Sequence, residues 1–99
     1  MLTPERRPTP PGVILKEHYL DPRGVSIAAF ARAVGCSRKH MSRIVHGQAR
    51  IEAPLASRMA RVLNTTPDFW LNLQNALDLF GARQEMKDWE PETVYHAIA

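Results

Sequence analysis

Residues 26–47 constrain the fold of this chain more than any other stretch. They read Ser-Ile-Ala-Ala-Phe-Ala-Arg-Ala-Val-Gly-Cys-Ser-Arg-Lys-His-Met-Ser-Arg-Ile-Val-His-Gly. The hydroxyl of Ser26 can accept a free backbone N–H at a helix start. Ile27, Phe30, Ala31 and Val34 then recur at the spacing of one helix face. Gly35 stands where helices often end in a left-handed residue. Cys36 follows as a small, buriable plug, and Ser37 is a second N-cap. Met41, Ile44 and Val45 make the apolar face of a second helix that stops at Gly47. Two short helices joined by a Gly-containing turn form a helix-turn-helix. Phe30 is expected to be the core residue joining them. The outward positions of the second helix are Arg38, Lys39, Ser42, Arg43 and His40, a set suited to phosphates and base edges. The plainer alternative is a helical hairpin with a solvated basic face.

Charge supports the first reading. Residues 1–50 hold nine Lys/Arg and three Asp/Glu, a net of +6, whereas residues 51–99 hold four and seven, a net of −3. The positive half contains the helix-turn-helix, as phosphate binding requires. Ninety-nine residues with 44% hydrophobic content suit one small domain. A single cysteine excludes an internal disulfide framework. No apolar run is long enough to cross a membrane, and Met-Leu-Thr-Pro-Glu-Arg-Arg-Pro lacks the apolar core of a signal peptide. A cytoplasmic protein without a membrane partner is the expectation.

Taken in order, residues 1–12 hold Pro4, Pro8, Pro10 and Pro11 and are expected to be a flexible, Pro-rich arm carrying Arg6 and Arg7. Residues 13–87 form the helix-turn-helix domain. Its first helix is expected over Val13–Leu20, with Ile14, Leu15, Tyr19 and Leu20 facing inward, followed by an Asp21-Pro22-Arg23-Gly24 turn. After the motif comes a short link carrying Arg50. A fourth helix should run from Glu52 or Ala53 to Leu63, with Asn64 ending it. Thr66 should cap a fifth, with Pro67 at its first position and Asp68 near its positive end. Trp70, Leu73, Leu77 and Phe80 form its main stripe, and Phe69, Leu71 and Leu79 are apolar beyond that stripe. A helix apolar on more than one side is either deeply central or covered by another subunit. Residues 88–99 are a C-terminal extension that the pattern leaves open between strand, helical turn and frayed end.

Catalytic chemistry has no carrier here. His18, His40, His46 and His96 have no metal-ligand spacing with one another or with Cys36. No Gly-rich phosphate loop or nucleophile elbow is present. No enzymatic role, metal or cofactor is therefore expected.

Three stretches together carry a resemblance: Pro11-Gly12-Val13-Ile14-Leu15, the helix-turn-helix, and Thr66-Pro67-Asp68-Phe69-Trp70-Leu71-Asn72-Leu73-Gln74. In order and content they resemble the HigA antitoxins, a branch of the XRE/Cro-like helix-turn-helix proteins. The resemblance spans about residues 8–82. Ile27 stands where the family often has Gln, and Glu52 near a helix start the family often caps with Thr. The resemblance implies an all-α, five-helix bundle of the lambda-repressor-like DNA-binding type. It implies a dimeric repressor that binds operator DNA in its own operon and neutralises a RelE-like, mRNA-cleaving toxin, HigB. Carried onto this chain, Ser37 would bind phosphate, Arg38, Lys39 and Arg43 would face bases, and His40 and Ser42 would lie nearer the backbone. Arg50 is expected as a peripheral DNA contact. Leu71, Leu79, Phe80 and Trp89 are the expected homodimer interface. The toxin is expected at the acidic stretch with Glu85, Asp88, Glu90 and Glu92, or at the Pro-rich arm. Two alternatives stand beside this reading: a regulator with no toxin partner, and a protein-interaction module whose motif no longer binds DNA.

Overall fold

The structure is a computed structural model and describes residues 6–98. The first part of the Pro-rich arm, before Arg6, and Ala99 lie outside the described residues. Five helices follow one another and no strand occurs among the described residues. They are α1 (Pro11–Leu15), α2 (Ile27–Val34), α3 (Arg38–Val45), α4 (Ala53–Leu63) and α5 (Pro67–Met86). Among the described residues no helix is long and apolar enough to cross a membrane.

The caps follow from the residue types foreseen. The Ser26 and Ser37 hydroxyls each accept a backbone N–H at 3.0 Å, from Ala29 and His40 respectively. Thr66 accepts from the Phe69 N–H at 3.2 Å. Gly35 and Asn64 end α2 and α4 in the left-handed region. Glu52 precedes α4 without a side-chain cap bond.

The first helix starts earlier than the proline count suggests. It begins at Pro11, not Val13, and both Pro11 and Gly12 are buried. Pro10 and Pro11 do not break it because they stand at its start, where proline has no bond to lose. A π-helical turn, Lys16–Leu20, and a 3-10 turn, Asp21–Arg23, continue α1 down to Gly24. Gly12 is the point where α1 meets α3: a Cβ there would overlap the Ile44 carbonyl and stand 2.9 Å from the Val45 Cα. No other residue type lets the two backbones approach this closely.

The core is a single cluster in which every helix takes part. Leu15, Leu20, Phe30, Ala31, Val34, Met41, Ile44, Val45, Ile51, Ala56, Met59 and Trp70 are all buried in it. Phe30 is 2% exposed and lies within this cluster, as its position in the sequence requires of a core residue. Tyr19, Phe69 and Trp70 stack edge-on around the α1–α5 junction. The indole N–H of fully buried Trp70 donates to Thr65 Oγ1 at 2.8 Å, so no polar atom is stranded there.

Helix α5 departs from the expected stripe. After Trp70 its buried residue is Gln74, while Leu73, Leu77 and Phe80 are only half-buried. Beyond α5, residues 87–98 make a turn and then run without regular structure, exposed throughout.

Gly12→Ala separates packing from helix propensity. Propensity alone favours Ala in a helix by about 1 kcal/mol. Overlap with a backbone carbonyl costs ~1–3 kcal/mol or more. The expected result of a chemical-denaturation titration is a clear loss of stability; an unchanged or raised midpoint would show that α1 and α3 are not in contact at Gly12.

Candidate nucleic-acid interface

Helix α3 is divided lengthwise. Met41, Ile44 and Val45 are buried against α1 and α2, while Arg38, Lys39, His40 and Arg43 are exposed. Its apolar side thus fixes its roll, and its basic side faces outward. Arg38, Lys39, Ser42 and Arg43 line one shallow depression. His40 points to the other side of the helix, into a groove shared with Gln48, Ala49, Leu55 and Leu77. The structure therefore brings four of the five expected recognition positions together and separates His40 from them.

Ser37 is used twice without conflict. Its oxygen accepts the His40 N–H, and its hydroxyl proton remains free to donate to an anion. The carboxyl end of α3 is braced by residues that sequence reasoning overlooked. His46 Nδ1 lies 2.7 Å from the Ser42 carbonyl and donates to it. The Arg43 guanidinium donates a long bond, 3.4 Å, to the Gln48 carbonyl. That bond limits the wandering of Arg43 and is weak enough for a better acceptor to replace it.

Arg50 stands apart from the other cations. Its guanidinium grips the Asp78 carboxylate with two bonds, 3.0 and 2.7 Å, and lies 3.5 Å from Glu52. Such a two-pronged pair satisfies the fork that a phosphate would need. Gln74 completes the arrangement. Its Oε1 accepts the buried Ile51 N–H at 2.8 Å and its Nε2 donates to Asp78 at 3.0 Å. Arg50 therefore ties the link after α3 to α5, while its side chain remains exposed on the surface. The sequence offered a signal for this in Gln74, the one polar residue of α5 spaced i+4 from Trp70 on its stripe.

The Arg50 hydrogen bonds hold the Asp78 carboxyl below the usual carboxylate range; Gln74 acts in the same direction and partial burial opposes them. At Cys36, burial pushes the thiol up, against an opposing pull from Arg58. A raised thiol is a poor nucleophile. Among the described residues no group of His, Cys, Asp and Glu is arranged to hold a metal ion. Of the residues expected at a dimer interface, Leu71 packs against the chain's own core, whereas Leu79 and Trp89 are 49% and 59% exposed.

This arrangement has known counterparts. The helix-turn-helix domain family matches residues 6–69. Antitoxin HigA-1 of Vibrio cholerae is 38% identical over 84 residues, covering 85% of this chain and 79% of that protein. This chain belongs to the HigA-type antitoxins of the XRE-like helix-turn-helix family. The structure of antitoxin GraA in complex with its operator superposes with a TM-score of 0.81 at 38% identity, covering 100% of both chains. An HTH-type transcriptional regulator of Escherichia coli K12, YbaQ, is 38% identical over 98 residues, covering 95% of this chain and 87% of that protein. HigA-type proteins are DNA-binding regulators and not enzymes.

The Asp78 shift gives a pH prediction. A carboxyl lowered on folding contributes stability that is full above its unfolded pKa, about 3.9, and is lost as pH falls through its folded value. The difference in denaturation midpoint between the parent and Asp78→Asn should therefore be flat from pH 7 to 5 and shrink below about pH 4. A difference that stays constant down to pH 3 would show that the Arg50–Asp78 pair is not formed in solution.

Proposed function

We propose that this chain is a DNA-binding antitoxin that represses its own operon as a dimer and neutralises a HigB/RelE-like, mRNA-cleaving toxin. The observation that carries the DNA-binding part is the lengthwise division of α3. A rigidly seated helix presents Arg38, Lys39, Ser42 and Arg43 side by side, and the second helix of this motif enters the major groove with its first turns against base edges. Arg38 and Arg43 suit guanine, whose two acceptors match the guanidinium fork; Lys39 reaches the same acceptors as a point charge. Ser37 and Ser42 then meet the backbone, His40 lies at the edge of the footprint, and Arg50 acts as a tether. The operator-bound GraA structure supports this reading by its likeness across the whole chain.

A dimer follows from the same geometry. One recognition helix covers too few bases for selective binding, and half-sites about one turn apart need paired helices. Leu79, Phe80 and Trp89 supply apolar surface on and after α5 for that pairing. Membership of the HigA branch supports the toxin partner. A regulator without a toxin is the second reading, in line with the name of YbaQ as an HTH-type transcriptional regulator.

Arg43→Ala should cost ~1–3 kcal/mol on the operator and relax preference at one base position. Binding curves on operator and random DNA at two salt concentrations check it; equal losses on both would make this face merely basic. Arg50→Ala should instead lower stability and leave the salt slope unchanged, where a phosphate contact would lower the slope by about one unit. Light scattering should give a dimer at high micromolar concentration; a monomer both with and without DNA would remove the dimer. Co-expression with a small basic protein encoded next to this chain should relieve growth arrest, and failure to do so would favour the regulator without a toxin.

A further inference from the structure

A second concave surface lies away from α3. It is a groove of about 430 Å³ between the π-helical turn after α1, α2 and the end of α4. Tyr19, Val25, Phe30, Val62 and Leu63 give it an apolar lining, and none of its lining residues is acidic. Arg23 stands on its rim, donating to the Tyr19 carbonyl. The neighbouring depression shares Ala33 and Val62 with it and adds Arg32, Arg58 and Arg61. Among the described residues, none of these four arginines is ion-paired to a carboxylate.

Segment 88–98 has the opposite character. It carries Asp88, Glu90 and Glu92 and no Lys or Arg. Its large apolar residues are left in solvent: Trp89 is 59% exposed, Val94 61%, Tyr95 90% and Ile98 99%. Four large apolar groups on one short segment are thus available to a partner.

We propose that the groove receives segment 88–98 of a second copy of this chain, with Trp89 seated on the apolar lining and the carboxylates facing the arginines. Charge complementarity selects the occupant. A toxin that approaches RNA is expected to be basic, and like charges across an interface are unfavourable. Reach selects the second copy. Phe69, beside Tyr19, is separated from Met86 by about 26 Å of helix axis. Three extended residues carry Trp89 only about 10 Å past the helix end, so it cannot return to its own groove. The inference goes beyond the DNA-binding reading and leaves α3 untouched, so it stands or falls separately from the Arg43 test.

The test uses the full chain, Val62→Asp and a chain ending at Lys87, each checked for unchanged helical content. Val62 is 44% exposed, so the substitution does not bury a charge in the core. Self-association is read by sedimentation, and Trp89 by acrylamide quenching, since Trp70 is fully buried. Each variant alone should associate at least tenfold more weakly than the parent. Mixing the two should restore hetero-association, because one partner keeps the groove and the other the segment. Unchanged association of Val62→Asp would overturn the proposal. So would a mixture that stays apart, or a Trp89 that remains fully quenchable at every concentration. Protection of Trp89 that is independent of concentration yet lost in Val62→Asp would overturn both the reach argument and the proposal, since the chain's own segment would then fill the groove. Loss of toxin binding in Val62→Asp with self-association intact would assign it to the toxin.

Discussion

One buried amide holds the link after the recognition helix to α5. Gln74 is 5% exposed, and both ends of its side chain are used. It accepts from Ile51, whose N–H is otherwise sealed inside the junction between α3 and α4, and it donates to Asp78. Leaving that N–H unpaired would cost ~1–3 kcal/mol. Because Gln74 also orients Asp78, it sets where Arg50 can go. The link that follows the recognition helix is thereby fixed at three points along α5 and its own chain. A helix whose exit is fixed in this way presents its side chains from a defined angle, and ordering them on DNA costs less.

Much of the fold was legible because it rests on local rules. Ser26, Ser37 and Thr66 cap helices, and Gly35 and Asn64 end them, since each residue satisfies or relaxes its own few backbone atoms. The apolar periods of α2 and α3 named Phe30, Val34, Met41 and Ile44 as core, and all are buried. What escaped the sequence depends on contacts between distant segments. Proline density marked Pro11 and Gly12 as arm, but the close approach of Ile44 pulls them into α1. Gln74 broke the α5 stripe because its amide has partners in another segment. That Arg50 pairs with Asp78 escaped as well, because the two lie far apart in sequence.

The same distinction runs through the site. Arg38, Lys39, Ser42 and Arg43 were legible as an outward face because helical spacing alone places them. The same spacing turns His40 away from them, and only the structure shows that it then lines a groove with Leu55 and Leu77. His46 gave no signal either: its bond to the Ser42 carbonyl requires the helix to end where it does.

Neutralising Arg50 has an electrostatic consequence for selectivity. Nonspecific affinity for DNA grows with the number of phosphates that cations can neutralise, whereas selectivity comes from groups at base edges. Had Arg50 been free, it would have added one sequence-blind contact. Paired with Asp78, its charge is used inside the molecule to hold α5 against the α3–α4 link. Arg38, Lys39 and Arg43 stand exposed together on α3. A charge held by Asp78 adds less to sequence-blind binding than a free one, which favours the ratio of specific to nonspecific binding.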